Sequence, residues 1–290
     1  MTSSATAPPV GVVGCGLMGS GIAEVFARAG RSVTVHEVSE QAAERGRARI
    51  ASSLARAVRS GKLDDAGSAA VLDRITVGTR LDDLADAELV VEAASEDEAL
   101  KIELFRRLDQ VLVRDDAVLA SNTSSIPIMK LGTATRRPAQ VVGMHFFNPV
   151  PVLALVEVVP SLLTSAETVK RVQHLAESDL GKTVIHSQDR AGFIVNALLV
   201  PYLLSGVRML ESGFASAHDI DAGMVQGCAH PMGPLQLSDL IGLDTIKAIA
   251  ESLYAEFKEP LFSPPPMLMR MVDAGLLGRK SGRGFYEYAR

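Results

Sequence analysis

The chain has 290 residues, 47% of them hydrophobic and 22% charged, which is enough for a large core and for two domains. A net charge of -5 argues against a nucleic-acid partner, because neutralising phosphates needs a basic surface. No apolar run reaches membrane-spanning length once charges and prolines are counted, so no membrane association is expected.

Residues 1–9 are small and polar and read as a floppy tail rather than a signal peptide. Val10 to Val13 then reads as a buried strand, and Gly14-Cys15-Gly16-Leu17-Met18-Gly19 fits the G-x-G-x-x-G turn of dinucleotide-binding proteins. Gly14 permits the tight turn, Gly16 lets a pyrophosphate approach the backbone, and Gly19 lets the following helix lie close to the strand. That helix, Ser20 to Ala29, points unpaired N–H groups and its positive dipole end at the phosphates. A second strand, Val33 to Val35, delivers Glu37, an acid about 20 residues beyond the glycines, where the adenine ribose hydroxyls are held. Glu37 would repel a 2′-phosphate and no arginine immediately follows it, so NAD is expected rather than NADP. The two cysteines, Cys15 inside this turn and Cys228, read as reduced thiols of a cytoplasmic protein.

Ser39 to Arg59 is a long helical pattern closed at Ser60-Gly61, and Asp64 to Arg74 reads as a returning helix. This hairpin interrupts the strand and helix alternation and is rich in cations. Arg59 and Lys62, gathered at its turn, are the candidates for an anionic ligand. Short strands follow at Ile75 to Val77, Leu89 to Val91 and Val118 to Ala120, with a helix at Asp97 to Val113 whose Leu100, Leu104, Phe105, Leu108 and Val111 are read as core. The third of these strands delivers Ser121-Asn122-Thr123-Ser124-Ser125 at its carboxyl end, where open sheets bind ligands.

Val141 to Met144 runs into His145-Phe146-Phe147-Asn148-Pro149, and Leu155 to Val159 is again a strand. His145 and Glu157 lie at equal distance from Pro151, so folding the two strands back would let imidazole and carboxylate face each other. Thr168 to Leu180 is a helix closed by Gly181, and Lys182 to Ser187 is a last strand. Beyond Asp189 long helical patterns take over: Phe193 to Glu211, apolar almost all round, kinked at Pro201 and expected to be buried on every side; a helix opened by the Ser216/Asp219 capping box; Asp239 to Phe257; and Met267 to Ala274. The expected architecture is therefore α/β: a doubly wound Rossmann-type sheet with an inserted helical hairpin over residues 1–188, the NAD-binding domain. An all-helical domain follows over residues 189–290, for substrate and for a homodimer contact through its apolar surface.

The chemistry implied is hydride transfer between a nicotinamide and a carbon that alternates between alcohol and ketone, with no metal required. His145 is the natural acid/base, Glu157 would fix its tautomer, and Ser124 and Asn196 could hold the substrate oxygen. These residues, with Val91-Glu92-Ala93, Gly192-Phe193-Ile194-Val195-Asn196, Pro231-Met232-Gly233-Pro234 and Lys280-Ser281-Gly282-Arg283-Gly284-Phe285-Tyr286, resemble the short-chain L-3-hydroxyacyl-CoA dehydrogenases, and most closely the bacterial 3-hydroxybutyryl-CoA dehydrogenases. The resemblance spans Val10 to Tyr288. It implies a His145 and Glu157 catalytic pair, Ser124 and Asn196 orienting the substrate, and Glu96, Lys101, Asn148 and Lys280 around the cofactor bound by Gly14, Gly16, Leu17, Met18, Gly19 and Glu37. It also implies that the hairpin holds the nucleotide of coenzyme A, giving Arg59 and Lys62 a role and adding Ser53. The chain departs from the family pattern at Ala191, where proline is usual, and at Leu153 and Ala154, where methionine and lysine are usual. Two other readings are an NAD dehydrogenase of a 3-hydroxy acid or sugar acid without coenzyme A, and a non-catalytic NAD-binding protein.

Overall fold

The computed structural model describes residues 8–288 and resolves into two compact units, residues 1–189 and 190–290. The expected N-terminal tail lies outside the described residues except for Pro8 and Pro9. Their carbonyls accept hydrogen bonds from the Arg31 guanidinium and the Glu88 amide.

The first unit is an eight-stranded sheet in the order β3-β2-β1-β4-β5-β6-β7-β8. Its strands are β1 Val10–Val13, β2 Val33–His36, β3 Ile75–Gly78, β4 Leu89–Glu92, β5 Val118–Ser121, β6 Val141–Phe146, β7 Leu155–Pro160 and β8 Thr183–His186. The first six run parallel, β7 runs antiparallel to β6, and β8 runs parallel to β7. The near-continuous valine and leucine runs in β1, β4 and β5 suit strands covered on both faces, and all three are buried throughout. Chain order reverses between β1 and β4, which opens a crevice at the strand carboxyl ends.

Helix α1, Leu17–Arg28, follows β1 directly. The hairpin consists of α2, Glu40–Arg59, and α3, Asp65–Asp73, with Ser39 and Asp64 accepting N-terminal amides as caps. Gly61 at φ +69° ends α2, and the amides of Gly61 and Lys62 return to Val58 and Ala57. Ala43, Ile50 and Leu54 form its buried face. In α4, Glu98–Val111, the Leu104, Phe105 and Leu108 positions are core, but Leu100 is 40% exposed and does not belong with them. Helix α5, Ile128–Thr133, is not visible in the sequence, whereas the helix expected up to Leu180 is present as α6, Ala166–His174, with a π-helical end over residues 175–179.

The second unit holds α7 Val195–Glu211, α8 Ala217–Cys228, α9 Pro234–Ile241, α10 Leu243–Phe257 and α11 Pro266–Asp273 around a core of Leu203, Leu204, Leu235, Ile246 and Leu253. Its first helix begins two residues later than expected, because Phe193 sits at φ +49° after Gly192 at φ +76°. Helix α7 is not buried on every side: Leu198 is 73% exposed and Met209 is exposed as well. The single helix expected over 239–257 is two, broken at Gly242, whose φ of +105° stops one helix and starts the next. Ser216 caps α8 as expected, its oxygen accepting the Asp219 amide, but its hydroxyl rather than its amide donates to the Asp219 carboxylate. At Ala191 the backbone N–H donates to Glu256 Oε2 at 2.7 Å, a bond that proline could not make.

Candidate active site

The glycine turn follows β1, with Gly14 at φ +89°. A Cβ on Gly14 would lie 2.8 Å from the Ala93 oxygen, and one on Gly19 would lie 1.8 Å from the Gly14 oxygen, so both glycines are required by backbone packing alone. Gly16 differs. A Cβ there would meet nothing within 4 Å, so the open space beside it suits a ligand that presses on the backbone. No side chain caps the α1 N-terminus, and its first turn carries no acid. The uncapped amides and the positive dipole end fit a pyrophosphate. Glu37 follows β2 as anticipated, and its Oε1 accepts the Cys15 amide at 2.5 Å. Burial first and Glu37 second push the Cys15 thiol up to about 11, so this cysteine stays protonated and unreactive at neutral pH.

The register of β6 and β7 sets His145 directly opposite Glu157. Residues opposite each other in an antiparallel pair project from the same face, so the ladder itself brings the side chains together. His145 Nδ1 lies 2.7 Å from Glu157 Oε2, and Glu157 is wholly buried. On the other side of the ring, Nε2 lies 3.0 Å from Ser124 Oγ, while the Phe147 ring meets the imidazole edge at 4.6 Å. The result is a carboxylate, imidazole and hydroxyl in line.

Ser124 is held in place from two directions. Asn122 Oδ1 accepts the Phe146 amide at 2.8 Å, tying the serine-rich loop to β6. Glu96 accepts the Ser124 amide at 3.0 Å, the Ser125 hydroxyl at 3.2 Å and the Thr123 hydroxyl. Burial would raise the pKa of Glu96. The Lys101 ammonium and the Thr123 and Ser124 donors outweigh it and hold the carboxyl below the usual range. Lys101 is itself buried and pairs with Glu92 Oε1 at 2.6 Å and with Glu96 Oε2 at 3.3 Å. The sequence points to Glu96, Lys101 and the Ser121 to Ser125 run, but not to the separate parts played by Glu92, Ser121, Asn122 and Thr123. For Glu92 the strand-end motif Val91-Glu92-Ala93 is the hint.

A groove of 490 Å³ lies between α1, α2 and the loop joining β6 to β7. Arg45, Arg49, Ser53 and Arg56 line it together with Asn148. Arg59 and Lys62, the cations favoured from the sequence, are exposed at the far end of α2 and are not among its lining residues. Cations recurring every three or four residues on a helix share one face, and that face, not the turn, looks into the groove. The loop wall is braced by Lys182, whose ammonium donates to the Val150 and Leu153 carbonyls at 2.6 and 2.7 Å. A cation therefore serves this loop although Ala154 stands where the family has lysine.

In the second unit Asn196 occupies the first turn of α7. Lys280 is paired with Asp244 at 2.5 Å. The loop that carries Lys280 is wrapped on buried Asp239, which accepts the Phe285 and Tyr286 amides at 2.9 Å each and the Tyr288 hydroxyl at 2.9 Å. Asp221 does the same for the Leu235 and Gln236 amides and the Tyr286 hydroxyl. A Cβ on Gly284 would fall 2.0 Å from Asp239 Oδ1, which explains the glycine in that motif.

Residues 9–190 match the NAD binding domain of 3-hydroxyacyl-CoA dehydrogenase, and residues 192–288 match its C-terminal domain. The chain is 58% identical over 279 residues to a 3-hydroxybutyryl-CoA dehydrogenase of Mycobacterium tuberculosis strain ATCC 25618 / H37Rv, covering 96% of this chain and 98% of the relative. Among solved structures it is similar to FadB2 of M. tuberculosis, with a TM-score of 0.96 at 58% identity, covering 97% of this chain and 99% of that one. It is also similar to (S)-3-hydroxybutyryl-CoA dehydrogenase PaaH1 of Ralstonia eutropha, with a TM-score of 0.91 at 45% identity and the same coverage. The chain belongs to the 3-hydroxyacyl-CoA dehydrogenase family of NAD-dependent oxidoreductases.

Proposed function

We propose that this protein interconverts an L-3-hydroxyacyl-CoA and the matching 3-oxoacyl-CoA, with the 3-hydroxybutyryl thioester as substrate, and that His145 is its acid/base. The observation that carries this reading is the line of buried Glu157, buried His145 and half-buried Ser124, at 2.7 and 3.0 Å. When bound, NAD accepts or returns the hydride at the substrate carbon. His145 takes the hydroxyl proton in oxidation and gives it back in reduction. Glu157 holds the Nδ1 proton and stabilises the imidazolium that forms. Ser124 would orient the substrate oxygen, as would Asn196 by resemblance to the family. Gly14, Gly16, Leu17, Met18, Gly19 and Glu37 would hold the dinucleotide, and the same resemblance assigns Glu96, Lys101, Asn148 and Lys280 to the cofactor.

The groove supports an anionic substrate tail. Arg45, Arg49 and Arg56 with Ser53 give it a basic wall suited to the nucleotide of coenzyme A, with Arg59 and Lys62 beyond its end. Leu198, Met209 and Phe214, the last 79% exposed, leave an apolar face on the helical unit that supports a homodimer through that unit. Among the described residues no helix is long and apolar enough to cross a membrane, and Cys15 and Cys228 are unpaired, which supports a cytoplasmic setting.

The test is NADH oxidation with 3-oxoacyl-CoA thioesters of increasing length, with free acetoacetate, and with NADPH as the alternative cofactor. Acetoacetyl-CoA with NADH should be turned over fastest. His145→Gln should lower kcat by about 10²–10⁴-fold with little change in NADH affinity. A variant that keeps near-normal turnover removes His145 from the mechanism.

A further inference from the structure

Glu92 ends β4 and is wholly buried, an expensive place for a carboxylate unless donors surround it. Three do: the Lys101 ammonium at 2.6 Å, the Ser121 hydroxyl at 2.6 Å and the Ala94 amide at 2.7 Å. The same ammonium reaches Glu96 at 3.3 Å. One buried cation is therefore shared between two carboxylates, held closely by the hidden one and more loosely by the one that faces the serine-rich loop. Ser121 adds a second route, since its oxygen also accepts the Thr123 amide at 3.2 Å.

We infer that Glu92 is a positioning residue for the acid/base site, holding Lys101 back so that Glu96 keeps free acceptor capacity to fix Ser124 on His145. The chain of contacts runs from Glu92 to Lys101, from Lys101 to Glu96, from the Glu96 carboxylate to the Ser124 amide, and from the Ser124 hydroxyl to His145 Nε2. If Glu92 lost its charge, Lys101 would turn wholly to Glu96. Lys101 meets Glu96 at Oε2 while the Thr123, Ser124 and Ser125 donors share Oε1, so drawing the carboxylate fully onto the ammonium would swing Oε1 away from those donors. Released from Glu96, the Ser124 backbone no longer aims its hydroxyl at the imidazole. Glu92 touches neither His145 nor Ser124, so its effect on them passes through Lys101 and Glu96 or through Ser121 and Thr123. The inference rests on the reading of Ser124 and His145 given above.

A double-mutant cycle between Glu92→Gln and Ser124→Ala tests it on the full chain, reading kcat and the KM for acetoacetyl-CoA. Glu92→Gln alone should lower kcat by about tenfold with KM changed by less than about twofold, the size of one lost charge-assisted hydrogen bond at the site. In the Ser124→Ala background the same substitution should change kcat hardly at all, because the group it positions is gone. Ser121→Ala keeps both charges and carries the test if the glutamine variant does not fold; its smaller fall in kcat should likewise vanish beside Ser124→Ala. Effects on kcat that multiply in the double variant, or a Glu92→Gln enzyme that melts lower but turns over normally, would overturn the inference. If Ser124→Ala by itself leaves kcat unchanged, the underlying reading of Ser124 fails instead, and Glu92 has no site to position.

Discussion

Glu157 in the sheet unit and Asp239 in the helical unit are buried to the same degree, at 0% and 1% exposure, yet they are satisfied by different kinds of partner. Asp239 accepts two backbone amides and a phenol, groups that never change charge at neutral pH. Glu157 faces an imidazole across a strand pair, a ring that can both give and take a proton. The first arrangement anchors a loop, and the second can move a proton. Burial alone does not separate them; the chemistry of the partner does.

The comparison breaks most visibly at Glu157. Glu157→Gln keeps the shape but cannot stabilise an imidazolium, so kcat should fall by about 10²–10³-fold, ~3–4 kcal/mol of activation, while the melting temperature changes little. Steady-state kinetics beside a thermal melt decides it, and a variant that unfolds while keeping turnover per folded molecule would place Glu157 with Asp239. The mirror experiment is Asp239→Ala, which leaves two amides and the Tyr288 hydroxyl without their acceptor. It should cost about 3 kcal/mol of stability, read by denaturant unfolding.

The smallest effect is a pH dependence confined to the helical unit. Burial, then the hydrogen bond to Asp239, push the Tyr288 hydroxyl up to about 12, and burial with Asp221 raises Tyr286 as well. A raised folded pKa means the fold prefers the neutral phenol. Its contribution is complete below the ordinary tyrosine value of 10.0 and is lost as pH climbs through about 12. The melting temperatures of wild type and Tyr288→Phe should therefore differ below pH 10.0 and converge by about 12. A gap that stays constant with pH would mean that the phenol does not titrate with the fold.

The sheet unit was the more legible of the two. Its glycine turn and strands carry local signals, and the spacing about Pro151 anticipated the observed pairing of His145 with Glu157. What failed to show was orientation. The basic face of α2 that lines the groove could not be told from its solvated face, so Arg59 and Lys62 drew attention that Arg45, Arg49 and Arg56 share in the structure. Glu92 looked like any acid at a strand end, because its burial depends on Lys101 arriving from α4. The break at Gly242 was hidden because apolar spacing continues on both sides, and only the positive φ reveals it. Helix α5 is six residues long, too short to show a period.

The antiparallel rungs that carry His145 and Glu157 have a consequence for how this chain can change. Because opposite rungs point the same way, slipping either strand by one residue would send one of the two side chains through to the far face of the sheet. The stretch between Phe146 and Leu155 must therefore keep its two ends in step whatever else it does. The proposed proton transfer thus depends on backbone register, and mutations that disturb it need not touch a reacting atom at all.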